Sequence, residues 1–526
     1  MDIFNTFPIG PDYRFMGRET IYTSRTREQI NQQTIPDILN GAMQRHLKNY
    51  RESVYLKNYL RGDHPILQRA KTVRPDVNNR IVINNAQTIV RNGNGYFLGE
   101  PIQFTAKKEA DSDSVQKLND YMDSEDKSCE DMNVGDDAAI TGRGFRLTAT
   151  DKPADVDEAP FEIPTLESES TEVIYSTSAG HKPLLAFTHA PILDDNGNTS
   201  GTEYTVYDDT YQYIYSVKGG LGSQIKSADL VEPPKAHFLG DVPIVEYANN
   251  AFRLGDFESV ITILDAVDKM SSDRVNDVEQ IVNAILIFQG LHLKTKDETK
   301  DGISDADKLK ESKTLEFPDD GTGSGNKKVY YVSSNLDQSQ AETLQKTLMD
   351  YVYAITGIPD RNARAGGGQD TGDAVYLRDG YQALEVVARV KERYFRKAER
   401  RTLRMVCQIL RRFDNIDLRP MDIDIKFIRN RTDNLLNKSN AFATFMGTKQ
   451  IAPQDGVALI GITNDPKGMA QRGKKYWDAQ AKEAASTAKV QNAPSEDDNL
   501  EGDGPDINAQ SDDKRPNNNA AEKATG

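Results

Sequence analysis

Between Asn335 and Phe413 the chain reads NLDQSQAETLQKTLMDYVYAITGIPDRNARAGGGQDTGDAVYLRDGYQALEVVARVKERYFRKAERRTLRMVCQILRRF. This stretch is a helix, a glycine-rich loop and a second, longer helix. Asp337 is placed to cap the first helix, with Leu336 before it as an apolar staple. Leu344, Leu348, Val352 and Ile355 then recur at helical spacing on one face. Gly357 suits the left-handed position just past a helix end, and Pro359 forbids continuation. The following Arg361 to Gly372 is too rich in glycine to hold one conformation unaided. Helical periodicity resumes near Thr371 and runs to Phe413, about 60 Å of straight helix at roughly 1.5 Å per residue. Gly380 inside it marks a candidate kink.

Composition narrows the function. With 526 residues the chain is long enough for several cores. Its formal net charge is −16, which disfavours tight nucleic-acid binding, because that affinity comes from neutralising phosphates. Passage of DNA is compatible with it, since an acidic wall repels phosphates and limits sticking. Cys129 and Cys407 have no partner pattern, so no disulfide framework is expected and a reducing compartment fits. Met1 to Met16 lacks the charged-then-apolar pattern of a signal peptide, and no run of about eighteen apolar residues predicts a spanning helix. A soluble protein, cytoplasmic when made, is expected.

Outward from the central stretch, residues 1–34 read as a loosely held polar arm. Helical periodicity begins near Ile35 and continues to Leu60, with Tyr50, Val54 and Tyr55 able to share a face; Gly62-Asp63 and Pro65 stop it. Arg80 to Val90 is apolar and β-branched, Arg91 to Gly95 reads as a turn, and Tyr96 to Thr105 as a strand. Residues 106–140 are acidic and mostly helical. Residues 141–250 read as antiparallel sheet, with strands at Thr171 to Ser176, Pro183 to Ile192 and Thr202 to Val217. Asp194 to Asn198 has neither the glycine nor the glutamate of a calcium loop, so a hairpin turn at Asn196-Gly197 is expected.

From Asp256 to Val282 a helix is predicted, with Phe257, Val260, Ile261, Leu264, Val267, Val275 and Val278 as its apolar stripe. Ala284 to Phe288, Thr314 to Phe317 and Lys327 to Val332 look like strands. Asp422 to Ile428 alternates as a strand returning to the sheet-rich region before Asn250. Helices follow at about Leu435 to Met446, Pro453 to Leu459 and Pro466 to Ala485. Gln491 to Gly526 has almost nothing to bury and is expected to be disordered.

Catalytic chemistry fails on spacing. The histidines form no Cys/His or His-Glu-x-x-His cluster, and no Gly-x-Ser-x-Gly elbow occurs. Gly93, Gly95 and Gly99 miss the dinucleotide fingerprint. Gly468 to Lys474 matches a phosphate-binding loop, but Lys475 replaces the hydroxyl that would hold magnesium and no strand leads into it. No catalytic, cofactor or metal residue is nominated.

Two groups of motifs carry a resemblance. Ile355-Thr-Gly-Ile-Pro-Asp360, the loop, Thr371-Gly-Asp-Ala374 and Val390-Lys-Glu-Arg-Tyr-Phe-Arg-Lys-Ala-Glu-Arg-Arg401 resemble the SPP1-type phage portal protein family. Asn58-Tyr-Leu-Arg-Gly-Asp-His-Pro-Ile66, Asn78-Asn-Arg-Ile-Val-Ile83 and Gly95-Tyr-Phe-Leu-Gly-Glu-Pro-Ile102 follow the same family's order and spacing. The resemblance spans roughly residues 35 to 485. Each motif alone is weak; their common order is what makes chance a poor explanation.

The resemblance implies an α+β portal fold and a non-enzymatic protein without cofactors. Its expected parts are an arm (1–34), a sheet-rich wing (35–253, with 414–430 returning), stem helices (254–282 and 336–357), a small α/β clip (283–335), a tunnel loop (358–372), a long kinked helix (373–413), a helical crown (431–487) and a disordered acidic tail (488–526). It implies a homo-oligomeric ring, usually a dodecamer, at one capsid vertex of the virion, assembled in the host cytoplasm. The ring would be the channel for DNA packaging and ejection. Implied partners are double-stranded DNA (non-specific and transient), the large terminase ATPase, a head-completion or adaptor protein, and the major capsid and scaffolding proteins, with no membrane.

Under the same resemblance, Arg361, Asn362, Arg364, Gly366, Gly367, Gly368, Gln369 and Asp370 would face DNA in the tunnel loop, with Gly357, Pro359 and Gly380 as hinge or kink positions. Arg393, Arg396, Arg400, Arg401 and Arg404 would form a basic subunit-contact face, since intersubunit ion pairs suit an acidic chain better than DNA binding. The alternatives are a nucleotide-driven DNA motor or nuclease, which an ATPase assay separates, and another connector or minor head protein.

Overall fold

The computed structural model describes residues 17–72, 75–150, 158–282, 285–289, 293–298, 302–305, 307, 328–332, 338–359, 381–429, 440, 442–444, 447, 469 and 473–482. The chain forms two compact units, Met1–Asn434 and Leu435–Gly526.

In chain order the first unit contains β1 (Ile21–Thr23), α1 (Ile35–Arg61), α2 (Asn85–Leu98), β2 (Gln103–Ala106), α3 (Ser112–Ser124), α4 (Lys127–Thr141) and β3 (Arg143–Leu147). The short β4 (Ala149–Thr150), β5 (Phe161–Glu162) and β6 (Thr165–Leu166) lead to β7 (Thr171–Ser176), β8 (Pro183–Leu193), β9 (Thr199–Tyr207), β10 (Tyr211–Lys218), β11 (Lys235–Ala236) and β12 (Ile244–Ala248). Then come α5 (Ile261–Val282), β13 (Ile285–Gln289), β14 (Lys328–Val332), α6 (Gln338–Thr356), α7 (Tyr381–Phe413) and β15 (Ile423–Lys426).

The main sheet is 6-stranded, in the order β1-β7-β8-β9-β10-β11. All its neighbours are antiparallel except β1, which joins β7 in parallel. The expected hairpin at Asn196-Gly197 is present. Gly197 has φ +78°, and the Asp194 carboxylate accepts from the Asn196 and Asn198 amides at 2.9 and 2.8 Å. The predicted run Thr202 to Val217 is two strands, because Asp208 accepts from the Thr210 and Tyr211 amides and turns the chain. One face of the sheet packs Leu185, Phe187, Tyr204 and Tyr215 against Ile35, Ile38, Leu39 and Met43 of α1. A larger core gathers α2 to α7 around Leu56, Phe97, Leu118, Phe257, Phe395 and Val406.

Several expectations are corrected. Residues Asn85 to Leu98 are one helix, which runs through the expected turn at 91–95, and the strand expected from Tyr96 begins only at Gln103. The Asn84 side chain caps the helix by accepting from the Gln87 amide at 3.1 Å, and Ala86, Ile89, Val90 and Phe97 are buried. Asn94 is buried as well, its amide nitrogen donating to Asp136 at 2.6 Å. The arm is loose at most before Gly17: Arg18 is buried between Glu52 and Glu258, and β1 is part of the main sheet. In α1 the buried face runs through His46, Asn49, Ser53, Leu56 and Tyr59, not through Tyr50, Val54 and Tyr55. β15 does return to the region before Asn250, but it pairs with β2 in a two-stranded sheet and not with the 6-stranded one.

Val275 and Val278 are exposed, so the α5 stripe is buried only from Phe257 to Val267. On α6, Val352 is buried while Leu344, Tyr351 and Ile355 are exposed. β13 and β14 form an antiparallel ribbon, from Ile285 opposite Val332 to Gln289 opposite Lys328. The strand expected at 314–317, the cap at Leu336 and Asp337, the helix at 453–459 and the tail at 488–526 lie outside the described residues. In the second unit, residues 440, 442–444, 447, 469 and 473–482 are helical, including Gly473, Lys474 and Lys475 of the near-match to a phosphate loop.

Where α1 crosses the main sheet, charge is buried. Arg143 holds Glu172 through two hydrogen bonds of 2.5 and 2.8 Å, and His46 lies 3.5 Å from the same carboxylate. Burial pushes the Glu172 carboxyl up, but Arg143 and His46 outweigh it and bring it down to about 2. His189, edge-on to His46 with ring centroids 5.0 Å apart, is pushed down to about 3 by burial and then by His46. Its folded state therefore favours the neutral ring, whereas an unfolded histidine takes a proton below its ordinary 6.5. The resulting stability is fully present above pH 6.5 and is lost as pH falls towards 3, at up to about 1.4 kcal/mol per pH unit. The Glu172 contribution is lost only lower, between 4.5 and about 2. His189→Phe is expected to flatten the fall in melting temperature between pH 7 and 5. An unchanged slope would exclude His189 as its source.

Candidate functional site

The loop residues Arg361, Asn362, Arg364, Gly366, Gly367, Gly368, Gln369 and Asp370, and Gly380, lie outside the described residues. The residues up to Pro359 and those from Tyr381 on are described. α6 ends at Thr356, and Gly357 follows at φ +73°, its N–H donating to the Tyr353 carbonyl at 2.9 Å. That left-handed turn, with Pro359 two residues on, stops the helix. A Cβ on Gly357 would lie 3.4 Å from the Ala383 carbonyl group and from Val387 Cγ2. The backbone leaving α6 thus lies against the first described turn of α7.

Beneath this crossing lies a cavity of about 170 Å³, lined by Ile89, Ile355, Ile358, Leu384, Val387 and the Asp256–Lys391 pair among others. Lys391 Nζ is 2.5 Å from Asp256 Oδ2. Asn249 donates to the other Asp256 oxygen at 2.8 Å, and the Asp256 amide donates to the Ala139 carbonyl at 2.7 Å. One aspartate therefore ties the start of α7 to the end of α4 and to the segment entering α5.

Further along, α7 is fastened by groups that sequence reasoning missed. Glu399 is fully buried and accepts from Arg146 Nη1 at 2.9 Å and from the Tyr247 hydroxyl at 2.8 Å. Arg146 also donates to Asp131 at 2.7 Å, and Lys127 bridges Asp131 and Glu399 at 2.7 and 3.4 Å. Charge-assisted bonds of this kind are strong once water is excluded, and each partner is costly to remove. Phe395 packs edge-on against Phe97 and Tyr247, with centroids 5.1 and 5.3 Å away. Near the helix start, Arg429 reaches Glu385 and Glu392 at 3.2 and 2.5 Å. The only hint of this in sequence is an acidic residue, Glu399, within a run of basic ones.

The five arginines expected on one face divide between two sides. Arg396 pairs with Glu392 at 2.5 Å and lies over the Phe427 ring. Arg401 grips Asp241 with two bonds of 2.8 and 3.1 Å. Burial pushes the Asp241 carboxyl up, yet Arg401 and its neighbours hold it below the usual range. Arg393, Arg400 and Arg404 are exposed, together with Lys397. Arg404 lies 3.5 Å from Asp241; Arg393, Lys397 and Arg400 have no ion-pair partner among the described residues. Among the described residues no grouping of three His, Cys, Asp or Glu side chains could hold a metal ion, and no helix is long and apolar enough to cross a membrane.

The portal protein of Bacillus phage SPP1 is 21% identical over 352 residues, covering 64% of this chain and 64% of that relative, so the chain spans less than two thirds of its length. The solved neck of a native GTA particle, computed with C12 symmetry, aligns with 72% of this chain and 89% of its own at 12% identity and a TM-score of 0.39. The sequence model described as phage portal protein, SPP1 Gp6-like, matches residues 42–487, from within α1 through the end of the described second unit, and the chain therefore belongs to that family.

Proposed function

We propose that the chain assembles head to tail into a closed ring, a dodecamer, at one capsid vertex, and that DNA passes through it during packaging and ejection. Each subunit offers the same two different patches, so a suitable rotation closes the ring. Family membership over residues 42–487 carries this reading. The main sheet would form the wing, α5 and α6 the stem, the β13–β14 ribbon the base of the clip, and the second unit the crown. The terminase ATPase and adaptor proteins would dock on the clip, with capsid and scaffolding proteins around the wing and crown.

The loop between α6 and α7 would meet DNA weakly. The Gly357–Ala383 contact, which brings the end of α6 against the described start of α7, supports placing both helices at one level. Arg361 and Arg364 would touch phosphates briefly, and the acidic balance of the chain would keep DNA from being gripped. Changing Gly366, Gly367 and Gly368 together to alanine is expected to leave ring formation intact while filled heads become rare. Normal DNA filling by intact rings of that variant would overturn the loop assignment.

A further inference from the structure

The solvent side of α7 carries Arg393, Lys397, Arg400 and Arg404 at helical spacing, and no acidic residue of the helix is exposed there. The acids of α7, Glu385, Glu392 and Glu399, are half-buried or buried and engaged. In a chain of net charge −16 such a bare cationic ridge is conspicuous. From Arg393 to Arg404 it spans about 16 Å at 1.5 Å per residue. A second surface matches it. The exposed side of α3 carries Asp113, Asp120 and Asp123, about 15 Å from first to last by the same rise. The exposed cation of α3, Lys117, is turned to Asp414, 3.5 Å away, and the Tyr121 ring.

Resting on the ring reading above, we propose that the α7 ridge of one subunit docks along the α3 acidic face of the next. Opposite signs and nearly equal length on two helices let several charges pair at once, where a lone surface pair would contribute little. The two faces differ, as a head-to-tail contact requires. The arrangement also answers an electrostatic difficulty: copies of an acidic chain repel when crowded into a ring, and meeting unlike faces offsets that repulsion. A DNA-facing ridge is the competing assignment, and it leaves the α3 face without a role.

The test is reciprocal charge reversal in the full-length chain, read by analytical ultracentrifugation and negative-stain imaging at low and high salt. Arg393→Glu with Arg400→Glu, and separately Asp120→Lys with Asp123→Lys, should each raise the concentration needed for rings by on the order of tenfold or more. Mixing the two variants in equal amounts should restore rings, because alternating subunits in an even-numbered ring meet only opposite charges, and combining all four changes in one chain should restore them as well. Restoration also shows that the variants fold. Three results would overturn the inference: ring formation unchanged in either variant, no restoration in the combined chain, or unchanged rings whose only defect is DNA retention. A parent chain that forms no ring at all would instead sink the ring reading itself.

Discussion

Glu399→Gln is expected to lower the unfolding free energy by about 3–5 kcal/mol, the cost of removing one partner from a buried ion pair. Glutamine keeps the shape and can still accept from Tyr247, so the loss is almost purely electrostatic. Arg146 and Lys127 would be left sharing the single carboxylate of Asp131, two buried cations against one anion. Both are almost inaccessible to water, so solvent screening gives little relief. The same helix supplies the control: Arg393→Gln, at an exposed position, should change stability by less than about 0.5 kcal/mol. Urea unfolding followed by circular dichroism makes the comparison. If both substitutions cost the same, the buried network is not what fastens α7.

Gly142→Ala should be comparably severe for a different reason. Gly142 ends α4 at φ +86°, where a side chain costs roughly 1–2 kcal/mol by itself. An added Cβ would also lie 1.9 Å from the Arg253 carbonyl oxygen and 2.2 Å from its carbon. Backbone cannot swing aside as a side-chain tip can, and Arg253 is fixed from elsewhere. Its carbonyl accepts from the Arg18 amide at 3.1 Å and its side chain pairs with Glu246. A total loss of about 4 kcal/mol is expected, at the upper end of what single substitutions do. Gly41→Ala is the counterpart. Gly41 is helical, exposed and has nothing within 4 Å of an added Cβ, so that change should be neutral or stabilise by up to about 1 kcal/mol. Thermal melts of the two variants should move in opposite directions or differ by many degrees.

The sequence was most readable where local chemistry and burial agree. The α6 stop at Gly357, the Asn196-Gly197 hairpin and the long α7 all follow from residues acting on their immediate neighbours. It misled where distant partners decide. In α2, Asn92, Gly93, Asn94 and Gly95 look like a turn, yet Asn94 is paid for by Asp136 on α4 and helix continues through all four. In the middle of α1 the buried face is polar, and His46, Asn49 and Ser53 gave no apolar period to follow there. β15 alternates clearly, but alternation says nothing of which strand it will pair with. The basic run on α7 was legible as a run; its division into two sides depends on Glu392, four residues before Arg396, and on Asp241 and Asp256, which no spacing rule connects to it.

Val275, Val278, Leu344, Tyr351 and Ile355 add a constraint on manufacture. Each folded chain emerges with these oily side chains still wet, so completion of the fold does not end its hydrophobic collapse. Scarcity of sister chains would prolong that interval and favour clumping over orderly growth.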